Sequence, residues 1–154
     1  MIIIAFFSIF IAIVDQLLKG AVISKVSLHQ TIEIIPSFFS ITRIRNFGAA
    51  FSLFGGNIFF LCLISIFILI FFYIYFLKEK AFTPFQMVIY SMFLGGTFGN
   101  LFDRITRGYV IDYLDFTIFG YHFPVFNFAD IMITLSVVLL IFKMIMEDAW
   151  KTKD

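Results

Sequence analysis

Two aspartates in the second half of the chain have surroundings that could support acid–base chemistry. Asp130 stands in "FNFADIMITL", at the mouth of an apolar run that continues to Ile145. Asp112 follows Val110 and Ile111 in "GYVIDYLDF", a segment patterned to extend after the flexible Gly108. A carboxylate beside hydrocarbon costs several kcal/mol unless it is paired, hydrated or protonated. A turn at Pro124 in "HFPVFNFAD" could return the chain so that Asp130 lies beside Asp112 at one water-accessible site. Two carboxylates sharing a site do not both ionise easily, so one keeps a proton. The ionised member can take a proton from water as it attacks a peptide carbonyl, while the protonated member hydrogen-bonds the carbonyl oxygen and then assists the departing amine. No covalent enzyme intermediate is required. Structural pairing and ion conduction compete with this reading. Asn127 and Asp130 also have the spacing of a helix cap and its reciprocal acceptor, which fits a plain helix start.

The remaining ionisable residues suggest support. Asp15 and Lys19 in "DQLLK" stand four apart on one helical face, where they can neutralise each other. "GNLFDR" sets Asn100, Asp103 and Arg104 at spacings of three and four, and an Asp beside an Arg near a helix end reads as a local clamp. Cys62, the single cysteine, lies deep in an apolar run and reads as packing. His29 and His122 are the only histidines and are far apart, which argues against a metalloprotease; no metal or cofactor is expected. A serine mechanism with Ser52 as nucleophile and Lys19 as base is conceivable.

The elements that must position these groups are membrane helices. Of the 154 residues 62% are hydrophobic and 14% charged, and the mean hydropathy is +1.05. Residues 58–77, "IFFLCLISIFILIFFYIYFL", carry no charge, and about 20 apolar residues span a hydrocarbon core of about 30 Å as a helix. With residues 1–22, 84–102 and 127–146 this predicts a membrane α-helical fold of four transmembrane helices in a single domain over 1–154, the second helix covering 57–77. The N-terminal run lacks the basic leader and small-residue cleavage site of a secretory signal peptide. Four spans place both termini on one side and loops 23–56 and 103–126 on the other, with a short turn near Lys78, Glu79 and Lys80. The loop side carries six Lys and Arg against five on the termini side, so the positive-inside rule does not decide orientation. Asp15, Asp103, Asp112, Asp115 and Asp130 all fall on the loop side. "TIEII" and "FFSITRIRN" predict two or three short strands, a small β-rich segment whose edge could pair with an extended peptide. A net charge of +1 without a basic patch argues against nucleic acid.

The ordered blocks "DQLLK", "RNFGAAFS", "GGTFGNLFDRITRGYVIDY" and "FPVFNFAD", reaching from Asp15 to Asp130, resemble bacterial lipoprotein signal peptidase, signal peptidase II. The resemblance implies a four-helix inner-membrane aspartyl endopeptidase with Asp112 and Asp130 as its catalytic pair. It also implies supporting or substrate-lining roles for Asp15, Lys19, Asn46, Gly48, Asn100, Asp103 and Arg104, with Asn127 and Ala129 setting the close approach of the fourth helix. Tyr113 stands where the family more often shows Phe, and Asp115 matches no assignable role. The implied substrates are prolipoproteins cleaved before a diacylglyceryl-modified cysteine, which arrive through membrane lipid. The implied setting is a multi-pass protein of the bacterial cytoplasmic membrane, with both termini cytoplasmic and the site near the outer face. The competing function is a small ion- or proton-conducting protein, but it would place carboxylates near the midplane, and the second and third spans have none at their centres. No "GxGD" motif of presenilin-type proteases is present.

Overall fold

A computed structural model describes residues 1–48, 56–76 and 81–151, with backbone alone for 148–151. The elements in chain order are α1 (Ile2–Lys25), β1 (Thr31–Ile35), β2 (Phe39–Asn46), α2 (Ile58–Phe76), α3 (Pro84–Arg107), β3 (Val110–Ile118), β4 (Tyr121–His122) and α4 (Phe128–Lys151). Ser52 and the turn at Lys78, Glu79 and Lys80 lie outside the described residues.

Among the described residues three helices, α1, α2 and α4, are long and apolar enough to cross a membrane. Their large side chains face outward: Phe6, Phe67 and Phe142 are all more than half exposed, which suits a hydrocarbon solvent. The central helix is α3, which packs against α1, α4 and α2. It begins on a capping box, in which the Thr83 hydroxyl accepts from the Gln86 N–H and the Gln86 side chain accepts from the Thr83 N–H, with Pro84 in the first turn. It ends at Gly108, whose φ of 74° is the left-handed geometry that stops a helix.

Small residues let the neighbours of α3 come close. A Cβ on Gly96 would lie 2.6 Å from the Ala129 carbonyl oxygen of α4, and one on Gly99 would lie 2.5 Å from Asp15 Oδ2 of α1. At the opposite end of α3, Phe72, Ile89, Tyr90 and Ile4 form a buried cluster with Phe76, Phe82 and Phe93 around it.

The helix limits differ from expectation in one informative way. The first and third helices run to Lys25 and Arg107 rather than to about 22 and 102, and the second outer loop begins near 108 rather than 103. In the last turns of α3, Asp103, Arg104 and Arg107 suggest an exit from the helix, but they reach Lys19, the Gly48 carbonyl and Gln16, and the helix continues through them.

The strands form one antiparallel sheet in the order β1-β2-β3-β4, two from each outer loop. Ile44 pairs with Asp112 and Ile41 with Leu114 across a bulge, and Phe39 pairs with Phe116. Alternation therefore puts Leu114 and Phe116 on the same face as Asp112. Phe116 stacks on Phe39 at 4.6 Å and on Phe126 at 5.7 Å, extending an apolar face outward from the carboxylate. Arg43 ties the sheet to α1 by donating to the carbonyls of Ile23 and Val26 at the helix end.

Candidate active site

The return strand brings the two aspartates together. The N–H groups of Tyr113 and Leu114 both donate to the Phe126 carbonyl, at 3.0 and 2.8 Å, so the residue after Phe126 is held beside Asp112. That residue is Asn127, whose Nδ2 donates to Asp112 Oδ1 at 2.6 Å. Asn127 also starts α4 by a reciprocal cap: the Asp130 N–H donates to Asn127 Oδ1, and the Asn127 N–H donates to Asp130 Oδ2, both at 3.0 Å. The capping spacing and the paired-carboxylate geometry thus coexist in the same residues. Asn46 Nδ2 donates to Asp112 Oδ2 at 2.8 Å, and Asn100 Nδ2 donates to Asp130 Oδ1 at 2.7 Å. Every oxygen of the two carboxylates accepts from one uncharged donor. Both line a cavity of about 700 Å³ together with Asn46, Asn100 and Arg104. Burial, then the charge of Asp130, pushes the Asp112 carboxyl up to about 6, against the opposing hydrogen bonds from Asn46 and Asn127.

Beneath this layer lies a charge cluster in which Asp15, Lys19 and Asp103 are fully buried. Lys19 Nζ is 2.8 Å from Asp15 Oδ2 and from Asp103 Oδ2, and donates to Asn100 Oδ1 at 3.0 Å. These contacts use all three of its N–H bonds. Asn100 Oδ1 also accepts from Asn127 Nδ2 at 3.2 Å, so the amide nitrogen of Asn100 is left to face Asp130. The ammonium therefore fixes which end of the amide addresses Asp130. Asp103 is paired further with Arg107, and Gln16 Nε2 donates to Asp103 Oδ1, Asp15 Oδ2 and the Gly99 carbonyl while its Oε1 accepts from Arg107. Two carboxylates and two cations balance in charge.

The comparisons with known proteins agree in direction. The chain is 37% identical over 147 residues to a lipoprotein signal peptidase of Staphylococcus aureus, covering 96% of this chain and 90% of the relative. A second, from strain JH9, is 37% identical over 144 residues with 94% and 88% covered. A solved bacterial membrane enzyme, determined in meso at 2.3 Å, superposes with a TM-score of 0.88 at 35% identity, covering 96% of this chain and 90% of that one. Another, at 1.9 Å, gives 0.81 at 36% identity with 92% and 91% covered. The family model for signal peptidase (SPase) II matches residues 7–146. The chain belongs to the signal peptidase II family.

Within this signal peptidase II chain, each residue singled out by the family resemblance has a definite place. Asp112, Asp130, Asn46, Asn100 and Arg104 line the cavity. Asn127 joins both carboxylates, and Gly48 donates its N–H to Asn46 Oδ1 while accepting from Arg104 at its carbonyl. Ala129 is fully buried, and its N–H donates to Asp15 Oδ1 at 3.2 Å. The clamp expected between Asp103 and Arg104 is not formed: Asp103 turns to Lys19 and Arg107, whereas Arg104 faces the cavity. Neighbouring residues on a helix point about 100° apart, and the i, i+4 partner shares the face of Asp103. Asp15 and Lys19 are likewise not an isolated pair, because Asp103 shares the ammonium.

Gln16 and Arg107 were missed from sequence, although Arg107 follows Asp103 by four. Asp115 accepts from the Thr42 hydroxyl at 2.6 Å within the sheet. Tyr113 points away from the Asp112 face. Burial raises its phenol above the usual value, and the Phe128 backbone hydrogen-bonds to it.

Proposed function

We propose that this chain removes signal peptides from prolipoproteins as an aspartyl endopeptidase, with Asp112 and Asp130 as the catalytic pair and cleavage immediately before a diacylglyceryl-modified cysteine. The observation that carries the reading is the presentation of both carboxylates to one cavity through donors that, among the described residues, are all uncharged amides. Such donors hold the carboxylates in place without claiming them as ion pairs, and leave a lone pair on each oxygen for water or a substrate carbonyl. Asp112, on a strand, is assigned the proton and polarises the carbonyl, because Asp130 lies in the first turn of α4, where the positive end of the helix dipole favours an anion. Asp130 is assigned the role of base toward water. As water adds, its proton passes to Asp130; as the C–N bond breaks, the amine receives a proton from the pair. Arg104, at the cavity wall with its Nε unpartnered among the described residues, would orient peptide carbonyls by hydrogen bonding.

The same reading takes the chain as one domain over 1–154 with α3 as a fourth span. Its 24 residues reach about 36 Å at 1.5 Å per residue. Both termini are then cytoplasmic and the cavity lies near the outer face of the bacterial cytoplasmic membrane, where lipid-borne substrate and water meet. Ion conduction is not favoured, since membership of a peptidase family gives it no support. The test is to offer purified protein a diacylglyceryl-modified prolipoprotein and the same precursor without lipid, reading the new N-terminus by mass spectrometry. Cleavage before the lipidated cysteine alone supports the proposal. Ion flux without cleavage, or equal cleavage of the unlipidated precursor, contradicts it.

A further inference from the structure

The far end of the sheet, away from the charge cluster, carries two turns side by side. One joins β1 to β2 through Ser37 and Phe38; the other joins β3 to β4 through Phe119 and Gly120, and the Thr117 N–H donates to the Phe38 carbonyl. Phe119 and Gly120 have φ values of 49° and 79°, and Ile118 pairs with Tyr121, so the second is a two-residue hairpin with both central residues left-handed. Such a turn favours Asn-Gly, because a left-handed bulky residue costs about 1–2 kcal/mol. Here the first position is a phenylalanine with its whole side chain exposed. Water as solvent rewards neither choice. Beside it Phe38, Ile118, Tyr121 and Phe123 are each at least 40% exposed. Residues 34–42 and 116–128 contain no Lys, Arg, Asp or Glu. The nearby ionisable groups are exposed but hydrogen-bonded to the turns: Glu33 accepts from the Ser37 N–H, and His122 Nδ1 is 3.0 Å from the Thr117 hydroxyl.

This uncharged end is continuous with the membrane-spanning part of the protein. Phe126 pairs with Leu114 in the sheet, and two residues later α4 begins its apolar course, so the sheet lies at the level where that helix meets the interface. The eight residues of β2 are about 26 Å long at 3.3 Å each, and a sheet standing upright would hold Phe119 in water far from lipid. A sheet lying along the surface buries it. Amphipathic elements with an aromatic apolar edge settle at this boundary.

We propose that the β3–β4 hairpin tip, led by Phe119, inserts into the outer-leaflet interface and anchors the sheet to lipid. Phe123, Pro124, Val125 and Phe126 follow the tip and line the cavity, so the anchor also sets one wall of the site against the bilayer. The inference does not depend on the chemistry of Asp112 and Asp130, and the test reads position rather than activity.

The chain has a single tryptophan, Trp150, so Phe119→Trp in a Trp150→Phe background gives a single reporter in lipid nanodiscs. Its emission should be blue-shifted, and lipids brominated at shallow acyl positions should quench it more than lipids brominated at chain ends, as expected for burial about 5–10 Å into the boundary. Emission quenched by aqueous iodide and insensitive to brominated lipid would overturn the proposal. So would protection from both quenchers, which points to a second copy of the chain or another protein on the tip. A second reporter, Tyr121→Trp in the same Trp150→Phe background, is compared with and without Phe119→Asn, the residue the turn itself prefers. Quenching of this second reporter by brominated lipid should fall when Phe119 is replaced; unchanged quenching would overturn the anchoring role of Phe119.

Discussion

Asp112 and Asp130 sit on elements of different kind, a strand and the first turn of a helix. Asp112 is on a strand, buried, with its carboxyl raised to about 6 from an ordinary value near 3.8, so in the folded protein it holds its proton to higher pH than in the unfolded chain. The stability it contributes is complete below about pH 4 and is lost as pH rises through about 6. Asp112→Asn should therefore flatten the pH dependence of thermal stability between pH 4 and 7 by on the order of 2–3 kcal/mol. Melting curves in detergent across that range check it; an unchanged slope counts against the shift. Lys19 presents the opposite case, a charge whose loss leaves two buried carboxylates short of a partner. Lys19→Met should cost about 3–5 kcal/mol and release the Asn100 amide from its orientation. Part of that loss should return in Asp15→Asn with Lys19→Met, and thermal unfolding of the two singles and the double measures the coupling. Additive effects would refute it. The Asp15–Lys19 pair was legible because its partners are four apart in sequence. The shares of Asp103 and Gln16 were not, since their partners across the α1–α3 contact lie more than 80 residues away.

At the scale of elements, the approach of α3 to its neighbours governs the distance between Asn100 and Asp130. A Cβ at Gly96 would meet the Ala129 carbonyl oxygen and, at 2.9 Å, the Ile133 side chain. Gly96→Ala should push α4 outward, lower stability by about 1–3 kcal/mol and reduce kcat by lengthening the Asn100–Asp130 contact. Gly20→Ala on α1 meets nothing within 4 Å and should be neutral or gain about 0.5–1 kcal/mol. Parallel melts and initial rates of the two variants check the contrast, and equal damage from both would contradict it. The three apolar helices announced themselves by composition, and the strand at Asp112 by its branched, extended pattern. The last turn of α3 did not. Asp103, Arg104 and Arg107 look like loop residues until their partners on α1 and at Gly48 are known. The β-bulge between Ile41 and Ile44, which keeps Asn46 on the Asp112 face, has no local signature either.

For the whole molecule, the arrangement makes sense as a meeting place of two solvents. Outward-facing apolar helices hold the protein in lipid, α3 packs the inner face of the bundle, and the sheet covers the end where the carboxylates open to a cavity. Charge counting could not orient the chain, because basic residues that would mark a loop are spent inside it: Lys19 and Arg107 neutralise buried carboxylates, and Arg43 caps α1. The family blocks were legible because they are contiguous runs around the site. The asparagine bridges that join them are not contiguous and emerge only in the folded chain. The central claim is that Asp112 and Asp130 act together as the peptidase. It is tested most directly by single-turnover cleavage of a diacylglyceryl-modified prolipoprotein with purified wild type, Asp112→Asn and Asp130→Asn at matched folded concentration. The account predicts cleavage before the lipidated cysteine by the wild type, and loss of at least about 1000-fold in each variant, since an amide keeps the size but cannot exchange the proton that general acid–base catalysis needs. Substantial turnover by either folded variant, with deamidation and contaminating peptidase excluded, would contradict it.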